Sequence, residues 1–265
     1  MTPYFQQDGV TLYHGDNVQT MREAIPDASI DLVVTSPPYD NLRTYGGHTW
    51  DFEGLAAELW RVIKPGGVVV WIVADATVDG SETGTSFRQA LHFKDLGFRL
   101  HDTMIWNKGA FSSVGDLQTR YAPVMEFMFI LSSGAPKSFN PIRDRKNVAC
   151  GRSLSGSTVR NADGTIKPVS NPDWIIPEFG QRFNVWEMPG EMKRMHEHPA
   201  PFPEALARDH ILSWSNEGDT VLDPFSGSGT TLKMARLMGR RGIGIEIHQD
   251  YCDIAVERLR QKLLF

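Results

Sequence analysis

Two cysteines, Cys150 and Cys252, are all that 265 residues hold. That is too few for a disulfide framework or a four-thiolate zinc site, and it fits a reducing compartment. Long apolar runs are also missing: the stretch 68–74 is far shorter than the roughly 20 residues a membrane helix needs, so no membrane partner is expected. Residues 1–9 carry no basic, apolar leader, which predicts a cytoplasmic chain. Bulk positive charge is lacking too, with 27 Lys and Arg against 32 Asp and Glu for a net charge of -5. This excludes a protein that coats nucleic acid by charge alone. No compositional bias marks a fibrous or disordered chain: 41% of residues are hydrophobic and 22% charged, as in ordinary globular domains, and the length suffices for a buried core.

What is present is alternation. Short β-branched runs at 11–13, 31–35, 67–73, 98–106 and 124–131 are interleaved with helical spacing at 54–63 and 86–96. This is the pattern of an α/β sheet with crossover helices. Lys64-Pro65-Gly66-Gly67 stops the first helix, because proline cannot continue it and glycine supplies a turn. A second series follows: helix 202–213, strand 220–222, helix 230–238, strand 242–247 and helix 250–264. Between the two series, from about 132 to 195, the periodicity fails and Gly, Pro, Ser, Asn and basic residues take over. The stretch exceeds the usual 12 to 15 residue connection, so it is predicted to be a functional insertion. Between Lys137 and Lys167 it holds seven Lys and Arg against two acids. The predicted division is 1–131, an insertion at 132–195, and 196–265.

Two motifs carry chemistry. Val221-Leu222-Asp223-Pro224-Phe225-Ser226-Gly227-Ser228-Gly229-Thr230-Thr231 reads as strand, glycine turn and helix. Glycines let the backbone approach a ligand, and a helix N-terminus offers unpaired N–H groups. The dinucleotide fingerprint needs a third glycine where Leu232 stands, and a phosphate-binding loop needs Lys after Gly229, where Thr230 stands. Both familiar phosphate readings fail. Glu246, at the end of the next predicted strand, is placed to accept hydrogen bonds from a ribose diol. The second motif, Thr35-Ser36-Pro37-Pro38-Tyr39, ends a buried strand in two prolines and an aromatic ring. It presents carbonyl acceptors and the Ser36 hydroxyl, and it suits a planar group bearing an amine.

In that order, Ser36-Pro37-Pro38-Tyr39 before Asp223-Pro224-Phe225-Ser226-Gly227-Ser228-Gly229, the chain resembles the permuted β group of DNA amino-methyltransferases. Gly15-Asp16-Asn17 resembles the family's acidic motif facing the adenine of S-adenosylmethionine. His198-Pro199-Ala200-Pro201-Phe202-Pro203 resembles the segment beside the methionine end of that cofactor. Ile105-Trp106-Asn107-Lys108 falls where the family keeps a strand near the base pocket, and the basic insertion falls at its target-recognition region. The resemblance implies a Rossmann-like α/β fold with a seven-stranded, mostly parallel sheet containing one antiparallel strand. It further implies S-adenosylmethionine as cofactor, with no metal, and double-stranded DNA as partner. A prokaryotic or phage source follows, with room for a homodimer and a cognate restriction endonuclease.

The implied roles are specific. Tyr39 stacks on a base flipped out of the duplex, since an exocyclic amine is inaccessible inside it. Ser36 and the Pro37 carbonyl accept hydrogen bonds from that amine, with Pro38 stiffening the turn. Cofactor contacts are expected from Asp16, Asp223, Pro224, Phe225, Ser226, Gly227, Gly229, Thr230 and Glu246, and from His198, Pro199 and Phe202. Arg143, Arg145 and Lys146 are the expected DNA backbone contacts. Serine at the head of the catalytic motif is mostly found in N4-cytosine enzymes and aspartate in N6-adenine enzymes. N4-cytosine is therefore the expected target, with N6-adenine the alternative. An RNA or protein-amide methyltransferase and a silent DNA-binding relative also stay open. Cytosine C5 chemistry is excluded, because it needs a cysteine behind a proline, and Cys150 and Cys252 follow Ala149 and Tyr251.

Overall fold

The computed structural model describes residues 1–38, 50–109, 117–189 and 203–261. The chain begins β1 (Phe5–Gln7), β2 (Val10–His14), α1 (Asn17–Ala24), β3 (Ile30–Thr35), α2 (Phe52–Val62) and β4 (Ile63–Val73). A small hairpin, β5 (Thr77–Val78) and β6 (Ser81–Glu82), leads to α3 (Thr85–Asp95), β7 (Arg99–Asn107) and β8 (Met125–Ser132). Four short strands follow: β9 (Arg145–Lys146), β10 (Thr158–Arg160), β11 (Ile166–Pro168) and β12 (Phe179–Gly180). The chain closes with β13 (Val185–Glu187), α4 (Glu204–Trp214), β14 (Thr220–Asp223), α5 (Thr230–Leu237), β15 (Arg241–Glu246) and α6 (Gln249–Arg260).

One sheet organises the larger unit, in the order β1-β2-β15-β14-β3-β4-β8-β7-β13. Strands β2, β15, β14, β3 and β4 are mutually parallel, and β8 runs antiparallel to both β4 and β7. The predicted seven-stranded sheet with one antiparallel strand is thus β2 through β7 in spatial order. Two short edge strands extend it to nine: β13 joins β7 in parallel, and β1 folds back on β2. Asp8 and Gly9, both at positive φ, make the two-residue turn that this hairpin requires. The C-terminal strands β14 and β15 sit between β2 and β3, which is the permuted topology in physical form.

Helix α1 escaped the sequence pattern, although Asp16 caps it by accepting a hydrogen bond from the Gln19 N–H at 2.9 Å. Its Val18 and Met21 pack with Leu55, Leu59 and Val62 of α2 and Phe93 of α3 around Val33, Val69 and Trp71 of the sheet. A second cluster places Cys252, Ala255 and Leu259 of α6 on Leu12 and Leu232. The Lys64-Pro65-Gly66-Gly67 turn lies inside β4 rather than before it. Ile30 pairs with Ile63 and then Leu32 with Val68, so the four residues form a bulge that proline can occupy without breaking the ladder. Trp71 and Trp106 are buried, whereas Trp60 is 38% exposed and packs edge-on against Phe98.

Residues Pro141–Phe183 form a second compact unit, narrower than the insertion predicted at 132–195. The reason lies in backbone pairing. The Lys137 N–H donates to the Gly66 carbonyl, the Asn140 N–H donates to the Ser213 carbonyl, and β13 extends the main sheet. Within the second unit β9 pairs with β12 and β10 with β11, all antiparallel. Polar bonds brace it: Arg182 pairs with Asp144, and Arg145 donates to the Gln181 carbonyl at 2.9 Å.

Candidate functional site

In a parallel sheet the loops after the strands gather at the carboxyl edge, and a reversal of strand order opens a crevice there. Strand β14 ends at Asp223, and the turn 224–229 hands the chain to α5. Gly229 caps that helix at φ 78°, and a Cβ there would lie 3.0 Å from the Ala255 Cβ, so a larger residue would strain the backbone and crowd α6. The Ser226 N–H donates to the Ile245 carbonyl at 2.9 Å, which lays the turn along β15. At the end of β15 the Glu246 carboxylate accepts from the Gly227 N–H and the His248 N–H, each at 2.8 Å. Neighbouring β2 delivers Gly15, whose N–H donates to the Glu246 carbonyl, and then exposed Asp16. Asn17 closes the group by donating to the Pro224 carbonyl at 3.4 Å. The structure therefore brings Asp16, Glu246 and the glycine turn together.

On the other side of β14 stands the Ser-Pro-Pro motif. Strand β3 ends at Thr35, and Ser36, Pro37 and Pro38 follow it at the same edge. The Thr35 hydroxyl donates to Asp223 Oδ1 at 2.7 Å, the Phe225 N–H donates to the same oxygen at 3.1 Å, and the Thr231 hydroxyl donates to the Val34 carbonyl at 3.3 Å. Asp223 is 1% exposed. Burial pushes its carboxyl up to about 6, against the hydrogen bonds from Thr35, Thr231 and the Phe225 N–H, while the charge of Glu246 pushes the same way as burial. Glu246 is also raised by burial, with the backbone bonds from His248 and Gly227 opposing. Phe225 meets Trp50 edge-on at 5.1 Å between ring centroids, and Trp50 continues to Trp71 and Phe52 as an aromatic wall.

Arg258 supports the turn from α6. Its guanidinium donates to the Ser228 carbonyl at 2.9 Å, the Ser228 hydroxyl at 2.6 Å, the Thr230 hydroxyl at 3.1 Å and Glu204 at 2.8 Å. Glu204 also accepts from Lys233 at 2.6 Å, so the acid is shared by both cations. Two buried carboxylates at the ends of β14 and β15 would repel a polyphosphate. The same carboxylates suit a ligand with a cationic centre and a diol. Buried Ser226 Oγ has no hydrogen-bond partner among the described residues, which leaves the turn a polar atom to satisfy. These features fit S-adenosylmethionine. Among the described residues no group of three His, Cys, Asp or Glu side chains could hold a metal ion.

Other expected residues fall elsewhere. Ile105, Trp106 and Asn107 end β7, with the Trp106 indole donating to the Met188 carbonyl at 2.8 Å, and Lys108 over the Trp106 ring paired with Glu126. Arg143 and Lys146 are exposed on the second unit, whereas Arg145 is bonded to Gln181 and lies over the Phe183 ring at 4.5 Å. Tyr39, His198, Pro199 and Phe202 lie outside the described residues. Sequence reading missed Thr35, Arg258 and Glu204, whose roles depend on partners far along the chain. No helix among the described residues is long and apolar enough to cross a membrane.

Residues 30–257 match the family model described as DNA methylase, N6_N4_Mtase. The orphan methyltransferase M.BamHII of Bacillus amyloliquefaciens is 53% identical over 92% of this chain and 94% of its own. The type II methyltransferase M.ScaI of Streptomyces caespitosus is 30% identical over 97% and 83%, respectively. Among solved structures, the cytosine-N4-specific PvuII DNA methyltransferase shares the fold at a TM-score of 0.71, with 20% identity over 99% of this chain and 90% of that one. A putative DNA modification methylase of Thermus thermophilus, solved in complex with S-adenosyl-L-methionine, matches at 0.61, with 26% identity over 93% of each chain. A glycine turn flanked by carboxylates, a Ser-Pro-Pro turn at the adjoining strand end, the permuted sheet and these relatives place the chain in the S-adenosylmethionine-dependent N6/N4 DNA amino-methyltransferase family.

Proposed function

We propose that the protein transfers a methyl group from S-adenosylmethionine to the N4 amine of a cytosine flipped out of duplex DNA. The observation that carries this reading is Ser36, the head of the Ser-Pro-Pro turn, directly following Thr35, whose hydroxyl donates to Asp223 at the end of the adjoining strand. When bound, the cofactor supplies an electrophilic methyl on a sulfonium and leaves as a neutral thioether. The chain's residues do the rest. Glu246 holds the ribose diol, Asp16 faces the adenine, and Phe225 packs on the cofactor within the Pro224 to Thr230 turn. Asp223 is the counter-charge to the methionine end, the end for which His198, Pro199 and Phe202 are the contacts the family resemblance implies. Tyr39 stacks on the flipped base, while Ser36 Oγ and the Pro37 carbonyl accept from its amine. Those bonds localise the nitrogen lone pair, which forms the new N–C bond as the S–C bond breaks. The amine proton leaves to solvent, and positioning of the two reactants supplies much of the acceleration.

Labelled methyl transfer offered in parallel to mixed-sequence duplex DNA, RNA and protein tests the substrate class. Label in DNA alone is expected, and label only in RNA or protein contradicts the reading. Arg143 and Lys146 are the proposed phosphate contacts. Replacing both with alanine is expected to weaken duplex binding about equally across sequences and to lower the salt slope by roughly one per lost contact. An unchanged slope in a fluorescence-anisotropy salt titration would remove them from the interface.

Asp223 gives cofactor binding a pH dependence with a definite sign. A cation bound nearby favours the ionised carboxylate, so binding below about pH 6 must expel a proton. Affinity is expected to hold steady above pH 7 and to weaken up to roughly tenfold by pH 5, while Asp223→Asn flattens most of the slope. Calorimetry showing a flat wild-type profile would contradict this.

A further inference from the structure

A buried side-chain bond joins the two motifs. Thr35 is wholly buried, and its hydroxyl donates to the carboxylate of Asp223, 188 positions away in sequence. Thr35 directly precedes Ser36, and its Cα pairs with Trp71 of β4, so its backbone is fixed on one side by the sheet. The registered backbone pairs between β3 and β14 are Leu32 with Val221 and Val33 with Leu222. Beyond Val33, the contact to β14 passes to side chains. A second hydroxyl, Thr231 in the first turn of α5, donates to the Val34 carbonyl and supports the same strand end. Asp223 thus accepts hydrogen bonds from both motifs, from the Thr35 hydroxyl on one side and the Phe225 N–H on the other.

We propose that Thr35 is a positioning residue for methyl transfer: through Asp223 it couples occupation of the cofactor turn to the placement of Ser36. The inference rests on the methyl-transfer reading above. Its physical basis is that a hydrogen bond to an ionised carboxylate is roughly twice as strong as one to a neutral group. A cation in the cofactor turn holds Asp223 ionised, which tightens the Thr35 bond and fixes the end of β3. Without that cation the carboxyl takes up a proton more readily and the bond slackens. Around and below pH 6, where the empty site takes up that proton, Ser36, one residue on, is therefore aligned for the amine only when the cofactor is in place, whereas above pH 7 the Thr35 bond holds it throughout. The charged group acting on Asp223 from the neighbouring strand is Glu246, which is itself tied to two backbone N–H groups.

Two substitutions separate coupling from packing. Thr35→Val keeps the β-branched shape but loses the hydroxyl, and Thr35→Ser keeps the hydroxyl but loses the methyl. Thr35→Val is expected to lower kcat about 10- to 100-fold at saturating cofactor and DNA, with the cofactor Kd at pH 8 within threefold of wild type. It should also move the pH midpoint of cofactor binding upward, since the Thr35 bond lowers the Asp223 pKa. Thr35→Ser is expected to keep kcat within threefold and the midpoint unmoved. The proposal is overturned if Thr35→Val keeps kcat within threefold, if both variants lose kcat and Tm alike, or if the midpoint does not move. Wild-type protein that binds the cofactor yet methylates no DNA would instead overturn the methyl-transfer reading, with the pH midpoint still reporting on the Thr35 bond.

Discussion

Ser36→Ala is expected to lower turnover about 100-fold while leaving cofactor affinity within threefold of wild type. The magnitude follows from the loss of one of two acceptors that polarise the reacting amine, a contribution of the order found for single groups acting on developing charge. The second acceptor, the Pro37 carbonyl, is untouched by the substitution and preserves residual activity. Cofactor affinity should hold because Ser36 follows β3, whereas the cofactor turn is built from β14, β15 and α5. Tyr39→Ala should give a loss of similar size, through weaker stacking of the flipped base. Single-turnover transfer of labelled methyl, paired with calorimetric cofactor binding, checks both. Turnover within threefold of wild type in Ser36→Ala would remove this residue from the chemistry.

Glu246→Ala is expected to raise the cofactor Kd about 100-fold, with kcat at saturating cofactor reduced only modestly. Two losses combine. The ribose diol loses an ionised acceptor, and hydrogen bonds to charged groups contribute roughly 1.5 to 3 kcal/mol each. The Gly227 and His248 N–H groups also lose their common partner, which frees the turn that the carboxylate holds. A fall in stability of about 2 kcal/mol should accompany the change, read as a lower thermal midpoint. Glu246→Gln keeps an acceptor oxygen and should fall between the two. Cofactor affinity unchanged in Glu246→Ala would undo the assignment of the diol site.

The sheet was legible because its strands are nearly pure β-branched runs, such as Val68 to Val73, set off by helices whose apolar spacing is clean. The permuted topology was legible from motif order alone, since each motif sits at a strand end by necessity of the fold. Helix α1 was not, because Asn17 to Ala24 offers only two strongly apolar buried positions, Val18 and Met21, and its cap is a residue that also reads as a ligand contact. The edge strands β1 and β13 are three residues each, too short for alternation to show. Within the second unit the short ladders of β9 to β12 are held by turns and polar side chains rather than by an apolar face, so no periodicity reveals them.

The site divides in the same way. The sequence put Asp16, Glu246 and the glycine turn at strand ends, and the structure brings them to one edge of the sheet because β2, β15 and β14 are neighbours. Thr35, Arg258 and Glu204 carry no such signature. Arg258 and Glu204 are 54 positions apart, and Thr35 and Asp223 are 188 apart. Each is an ordinary residue until folding supplies its partner. Arg145 has local partners of the same hidden kind: its Nε–H donates to the Gln181 carbonyl and its guanidinium lies over the Phe183 ring, contacts that the charge of the segment does not reveal.

The most direct measurement is nucleoside mass spectrometry of mixed-sequence duplex DNA after incubation with the protein and S-adenosylmethionine deuterated at the methyl group. Labelled N4-methylcytosine, lost in the Ser36→Ala variant, is the predicted result. Labelled N6-methyladenine would keep the family reaction and contradict Ser36 as the determinant of the target base, and no label in either nucleoside would contradict the proposed activity.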